Sequence, residues 1–270
     1  IAVDEKKRSP LDFTLWKPAK PGEPSWESPW GDGRPGWHIE CSAMSYEYLG
    51  KGFDIHGGGK DLIFPHHENE IAQSEALFGC QFVKYWIHNG FVDINNEKMS
   101  KSLGNFTMIK EVLERYSPEV IRMFLLSNHY RSPIDYSEDS MREISLGLDR
   151  IYAFLERMET AGAKGDGSQK VDLWNDFASA MNDDFNSARA LGSVFEAVKK
   201  GNKLLDDTHD TPDKAILDTL RLCHDDIKAI SPILGIFLLD PQAYFKAKRD
   251  KGMADMAVDP EEIEDLIQQR

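Results

Sequence analysis

The chain has 270 residues, 41% of them hydrophobic, and a formal net charge of -14. That length and apolar content suit one large or two modest soluble domains with real cores; the acidity excludes holding nucleic acid by bulk electrostatics and leaves local basic strips for any such contact. Three scattered cysteines, Cys41, Cys80 and Cys223, exclude a disulfide framework and point to a reducing, cytoplasmic compartment, and no apolar run approaches the roughly 18 residues of a membrane span, so no membrane partner is expected.

Residues 1–36 read as a polar connector rich in proline, where extended and turn structure is expected. Leu11 to Trp16 alternates well enough for a short strand, and Trp16, Trp26, Trp30 and Trp37 are expected to cover the edge of a core. A helix is predicted from about Gly36 to Leu49, stopped by Gly50-Lys51-Gly52. Phe53 to His56 then reads as a buried strand emptying into Gly57-Gly58-Gly59. Ligands of open α/β sheets bind beyond the carboxyl ends of strands, and glycines let them approach the backbone. Gly58 and Gly59 are therefore candidates for nucleotide contact, with a tight unliganded turn as the alternative.

Pro65 is expected to open a second helix, running to about Leu77, that sets His66 and Glu70 one turn apart on one face. An imidazole and a carboxylate so spaced can grip one metal ion, with Cys41 as a thiolate from the earlier helix. An acidic helix start with surface histidines is the plain alternative. Tyr85 to Ile94 reads as a strand or strand pair interrupted at Gly90. It delivers the loop Glu97 to Asn105, where Lys98, Ser100 and Lys101, with Gly104 behind them, have the composition of a phosphate clamp: flexible cations, a hydroxyl donor and a permissive backbone.

After residue 107 the apolar spacing turns helical, with a restart at Ser117-Pro118-Glu119. From Ser137 the positions Met141, Ile144, Leu148, Ile151, Leu155 and Met158 step by three and four, the seam of a bundle-forming helix. Ala161 to Lys170 reads as a glycine-rich flexible break, and further amphipathic helices are predicted near 171–181, 187–205, 213–230 and 260–270. The chain is thus expected to be α/β to about residue 106 and all-α beyond it.

Taken together, Trp37-His38-Ile39-Glu40-Cys41, His56-Gly57-Gly58-Gly59, Phe64 to Glu70 and Lys98-Met99-Ser100-Lys101-Ser102, in this order and spacing, resemble the cysteinyl-tRNA synthetases, a class I family. The resemblance runs from about Leu11 to Gly235 and is most specific between 34 and 106; Met181 to Asn186 is similar to the family's helical domain. It implies the second half of a Rossmann-like catalytic domain (1–106), connecting helices (107–136), a tRNA-contacting helical bundle (137–240) and the start of a linker (241–270). It implies one zinc ion held by Cys41, His66 and Glu70, and ATP with magnesium bound at Lys98, Ser100, Lys101, Gly58 and Gly59. Lys101 would be the chief catalytic lysine beside Lys98, and Trp37 and His56 would lie at the substrate. The implied partners are L-cysteine, ATP and tRNA(Cys).

Two departures accompany the resemblance. The family's His-x-Gly-His nucleotide string and its fourth zinc ligand, a cysteine upstream of that string, do not occur in this sequence. A fragment lacking the N-terminal half of the catalytic domain and the family's C-terminal anticodon-reading domain, and inactive alone, is therefore expected. Two other readings stay open: an ATP-dependent cysteine ligase of mycothiol synthesis, and a non-catalytic module that binds zinc or tRNA.

Overall fold

The structure, a computed structural model, describes residues 7–94, 97–98, 107–209 and 211–256, with the backbone alone at 97–98 and 254–256. Two units divide at Phe91 and Val92. Among the described residues no helix is long and apolar enough to cross a membrane.

In the first unit β1 (Trp16–Pro18) and β2 (Gly33–Pro35) pair antiparallel, Trp16 opposite Pro35. The strand lies at the end of the predicted alternation rather than along it, because its partner carries a glycine where the Trp16 ring packs: a Cβ at Gly33 would stand 2.4 Å from Trp16 Nε1. Trp26, Trp30 and Trp37 do not seal a core as expected; all three are largely exposed. The short connector strands pair with each other and bring no apolar layer under the indoles, while the unit's small core forms elsewhere, from Phe53, Phe82 and Val83 with Ile71 and Trp86 against them.

Helix α1 (Ile39–Leu49) forms as predicted and ends at Gly50, whose φ of 78° lets its N–H reach Tyr46 O. Strands β3 (Phe53–Gly59) and β4 (Val83–Asn89) run parallel, in register from Phe53 opposite Val83 to Gly59 opposite Asn89. A parallel pair needs a crossover; here it consists of a 3-10 turn at Lys60–Leu62, a wider turn at Ile63–His67, and helix α2 (Glu68–Phe78).

Three expectations are corrected. Gly57, Gly58 and Gly59 belong to β3 rather than to a turn after it. The helix starts at Glu68 and not at Pro65, since the residue before a proline is pushed out of the α region: Phe64 is extended (φ -133°, ψ 133°) and the Phe64–Pro65 peptide is cis. Of the strand expected to be buried at 53–56, Phe53 alone is buried, because β3 and β4 pair with no further strand among the described residues.

The second unit opens with β5 (Val92–Ile94), flanked antiparallel by β6 (Glu97–Lys98) and parallel by β7 (Ile134–Tyr136). The strand β7 interrupts the all-helical stretch expected after residue 106. Between β6 and β7 come α3 (Ile109–Arg115) and α4 (Pro118–Leu126), the latter capped by Ser117, which accepts from Val120 N–H, with Pro118 at its first position as predicted.

The bundle follows: α5 (Glu138–Thr160), α6 (Asp172–Asn182), α7 (Ser187–Asp207), α8 (Lys214–Leu234) and α9 (Pro241–Met256). Met141, Leu148, Ile151, Leu155 and Met158 of the predicted seam are buried, and Ile144 packs partly buried beside them. The helix expected at 260–270 lies outside the described residues. Helix α9 has no strong apolar face to read; its Tyr244 ring instead stacks 3.9 Å from Tyr152, and its Tyr244 hydroxyl and Lys248 both donate to Asp149.

The break at 161–170 is pinned rather than free. His224 Nδ1 accepts from Gly165 N–H (3.2 Å), Asp225 from Gly167 N–H (2.6 Å), and Asp226 from Val171 and Leu173 N–H (2.8 and 3.0 Å). Three consecutive α8 side chains thus satisfy the amides of the connector and of the α6 start. At the α6–α7 corner Asp184 and Phe185 both hold positive φ (55° and 53°). Asp184 accepts from Arg131 Nε and Nη2 and from the Tyr130 hydroxyl, bonds that hold the unfavourable backbone in place and draw the Asp184 carboxyl down to about 2.

Because the seam of α5 carries the bundle, Leu148→Ala is expected to lower stability by about 2–5 kcal/mol, whereas Leu146→Ala, at a position 46% exposed on the same helix, changes it by about 0.5 kcal/mol or less. Urea denaturation of the two variants checks this; equal losses would contradict the assigned core face.

Candidate metal centre

The site grows from the register of β3 and β4. Side chains two apart share a face of a strand, so His56 and Gly58 of β3 lie on the same side as their partners Trp86 and His88 of β4. Over that face the turn before α2 delivers His67. A side chain at Gly58 would collide with it: a Cβ there would stand 3.0 Å from His67 Cε1 and 2.8 Å from Leu62 Cδ1. The glycine is needed for this close approach. The rings interlock, with His56 4.9 Å from His67 and 4.8 Å from Trp86, His67 4.9 Å from Trp86, and His67 Nδ1 2.8 Å from His88 Nε2.

Helix α2 adds Glu70, 4% exposed. Its Oε2 lies 3.2 Å from His56 Nε2, yet that approach is not aligned as a hydrogen bond, and the atom is buried with no hydrogen-bond donor among the described residues. Burial pushes the Glu70 carboxyl up to about 7. The first turn of a helix favours a carboxylate, but the effect is worth about 0.3–1 kcal/mol, less than the penalty that a shift from 4.5 to about 7 represents. His67 moves the other way, to about 4, because burial, and then the neighbouring His56, His88 and His66, disfavour a second positive charge.

His56, His67 and Glu70 each offer a ligand atom within 4.8 Å of one another, and they form the described residues' one group of three or more with metal-ligand geometry. The sequence-predicted set of Cys41, His66 and Glu70 shares only Glu70 with it; those three side chains do not themselves form a group of that geometry. Cys41 stands exposed on α1, and partial burial, then the carboxylates of Glu70 and Glu40, raise its thiol pKa. His66 belongs to a second string of groups: His38 Nε2 is 2.9 Å from His66 Nδ1, and Asn69 Nδ2 is 3.1 Å from His38 Nδ1. Trp37 tilts against His66, ring centres 6.3 Å apart.

These donors fit a zinc ion chemically. Thiol, imidazole and carboxylate are its usual ligands, and an orphaned, buried carboxylate oxygen is a group that a cation would satisfy. Of the remaining predicted residues, Gly59 lies against Asp61, whose Oδ1 is 2.4 Å from a Cβ built there. The backbone of Lys98 pairs with Asp93 in β6, and Ser100 and Lys101 lie outside the described residues. Sequence reasoning passed over His38, His67, His88 and Asn69. Five of the eight histidines fall between 38 and 88, and the two-residue spacing of Trp86 and His88 opposite His56 and Gly58 is the signal that would have found the cage.

Residues 1–145 match the profile of the tRNA synthetases class I (C) catalytic domain, and residues 176–238 match the DALR domain. This chain belongs to the class I (C) tRNA synthetase family. A cysteine–tRNA ligase of Geobacter metallireducens is 55% identical over 282 residues, and one of Geobacter sulfurreducens is 54% identical over 280; each alignment covers 100% of this chain. The chain spans 58% and 57% of the length of those relatives. Among solved structures, a ternary complex of an Agrobacterium radiobacter K84 LeuRS with tRNA and LeuAMS matches 78% of this chain and 32% of its own, with TM-score 0.58 and 14% identity. At that identity the likeness is one of fold.

In the metal-free chain the raised Glu70 carboxyl makes ionisation unfavourable to the fold. Between the unfolded value of 4.5 and the folded value of about 7 the folded state binds the extra proton, so this group's contribution to stability falls as pH rises through that window. Glu70→Gln is therefore expected to stabilise the chain relative to wild type at about pH 8 and to be neutral at about pH 4.5. Thermal melts in chelator check this, and an equal effect at both pH values would contradict it.

Proposed function

We propose that this chain supplies the zinc-bearing part of the catalytic domain and the helical domain of a cysteine–tRNA ligase, which couples L-cysteine to ATP as cysteinyl-adenylate and passes the cysteinyl group to tRNA(Cys). The observation that carries the reading is the juxtaposition of the His56 and His67 imidazoles with the orphaned, buried Glu70 carboxylate, inside a chain of this family. Cys41, His66 and Glu70 would hold zinc, and His56 and His67 offer further ligand atoms beside Glu70. The ion, when bound, prefers a thiolate to a hydroxyl and so separates cysteine from its near-isostere serine. Shape alone could not supply that discrimination, since a pocket rejects a near-isostere weakly.

This chain's own groups do the rest. Trp37, beside His66, covers the substrate, and His56, facing Glu70, orients it. Glu70 would bind the ion as a carboxylate, the cation offsetting the burial that disfavours its charge. Lys98, Ser100 and Lys101 bind the ATP phosphates together with magnesium, stabilising charge on the departing pyrophosphate; catalysis is in-line positioning and electrostatics, with no covalent enzyme intermediate. The helices after residue 137 bear on tRNA, as their match to the DALR domain supports.

In the ligase that carries this sequence, cysteine-dependent ATP–pyrophosphate exchange and charging of tRNA(Cys) are expected. Lys101→Ala should depress adenylate formation at least 100-fold, on the order of one lost transition-state charge contact, with little change in cysteine binding. Transfer to a glucosaminyl acceptor in place of tRNA would favour the mycothiol-type ligase, and equal losses in binding and exchange would refute the clamp.

A further inference from the structure

The chain's acids outnumber its bases, 46 to 32, and a cluster of exposed cations left without carboxylate partners is unexpected on such a background. Helix α7 carries one. Lys199, Lys200 and Lys203 fall within five residues, and all three are exposed. None forms an ion pair among the described residues, although Glu196 stands three and four positions before the first two. Toward the ends of the same helix the charges do pair, Arg189 with Asp183 and Asp206 with Arg157. Across the groove between α5 and α7, Arg150 is likewise exposed and without an acid, and it lines that groove with Lys199 and the Asn202 amide; Glu143 lies in the same groove.

The ridge that holds the lysines begins at a glycine. Gly192 is exposed in the interior of α7, where glycine weakens a helix, and a Cβ built there meets nothing within 4 Å. Packing inside the chain does not ask for it. Positions 192, 196, 199 and 203 step by four, three and four, so the bare backbone at Gly192 and the lysines share one face.

We infer that the outward ridge of α7 from Gly192 to Lys203, with Arg150 across the groove, is the surface on which the sugar–phosphate backbone of tRNA lies. The lysines pair with successive phosphates, and Gly192 lets the strand come against the helix. The inference rests on the reading of the helices after residue 137 as bearing on tRNA, and it adds the face and the chemistry. Lysine brings a point charge to phosphate and reads no base. Lys199 and Lys203 are about 6 Å apart along the helix axis, a row that suits an extended polyanion rather than one small anion. A protein partner fits less well: interface cores are apolar and poor in lysine, and no large apolar side chain is exposed between 192 and 203.

The test uses the ligase that carries this sequence and fluorescence anisotropy with labelled tRNA(Cys) and a non-cognate tRNA, from about 50 to 200 mM salt. Lys199→Gln, Lys200→Gln and Lys203→Gln together should flatten the slope of log affinity against log salt by about three, one per lysine, and equally for both RNAs. Arginine at the same three positions should keep the wild-type slope. Gly192→Gln should raise the melting temperature by about 1–3 °C and yet weaken both RNAs severalfold. A wild-type slope in the triple glutamine variant overturns the inference, as does a loss confined to tRNA(Cys), which would mean base reading, or wild-type affinity in Gly192→Gln. If circular dichroism shows that the triple variant fails to fold, the single exchanges decide, each expected to lower the slope by about one. A wild-type ligase that binds neither RNA removes the tRNA reading and the ridge with it; wild-type binding with a slope that none of the lysine exchanges moves overturns the ridge alone.

Discussion

Glu70 is a carboxylate that the fold takes out of water without giving both oxygens a donor. An uncompensated buried charge is among the costliest features a small unit can carry, and this unit has little apolar core to offset it. The two ways out are a proton, which the shift to about 7 reflects, or a cation. The histidines beside Glu70 are compatible with the second. Burial and neighbouring histidines lower His56 and His67, so near neutral pH they offer lone pairs rather than competing positive charge. A buried acid beside two neutral imidazoles is an environment that suits a divalent cation as well as a proton.

The second unit is built on another principle. Its stability comes from the continuous apolar seam of α5 packed against the surrounding helices, and its polar groups serve the backbone. His224, Asp225 and Asp226 fasten the connector between α5 and α6, and Asp184 holds the strained α6–α7 corner through Arg131 and Tyr130. The buried acids of this unit are satisfied where Glu70 is not. That contrast singles out Glu70 as the candidate ligand among the buried acids of the described residues.

What the sequence made legible follows from the range of the interactions involved. The α5 seam, the Ser117-Pro118 cap and the glycine stop after α1 are local, and each stands where its pattern places it. The start of α2 was misplaced because Pro65 was read as a helix opener, when its stronger effect was on Phe64 before it. The glycine run was read as a ligand turn, when Gly58 is small to make room for the His67 ring. Helix α9 was missed because it is held by Tyr244 on Tyr152 and by Asp149, contacts about a hundred residues apart that no periodicity encodes. At the site, the spacing of His66 and Glu70 and the string around Cys41 were readable. The histidine cage was not, because it exists only once β3 and β4 are in register and the turn at 60–67 folds back over them.

The central claim is that a sulfur, an imidazole and the Glu70 carboxylate converge on one ion. X-ray absorption at the zinc edge of the zinc-loaded chain tests it directly. The account predicts one sulfur scatterer near 2.3 Å, with nitrogen and oxygen scatterers at about 2.0–2.2 Å, and loss of the sulfur shell in Cys41→Ser. A shell of nitrogen and oxygen alone, unchanged by that substitution, would place the ion on His56, His67 and Glu70 and contradict the account.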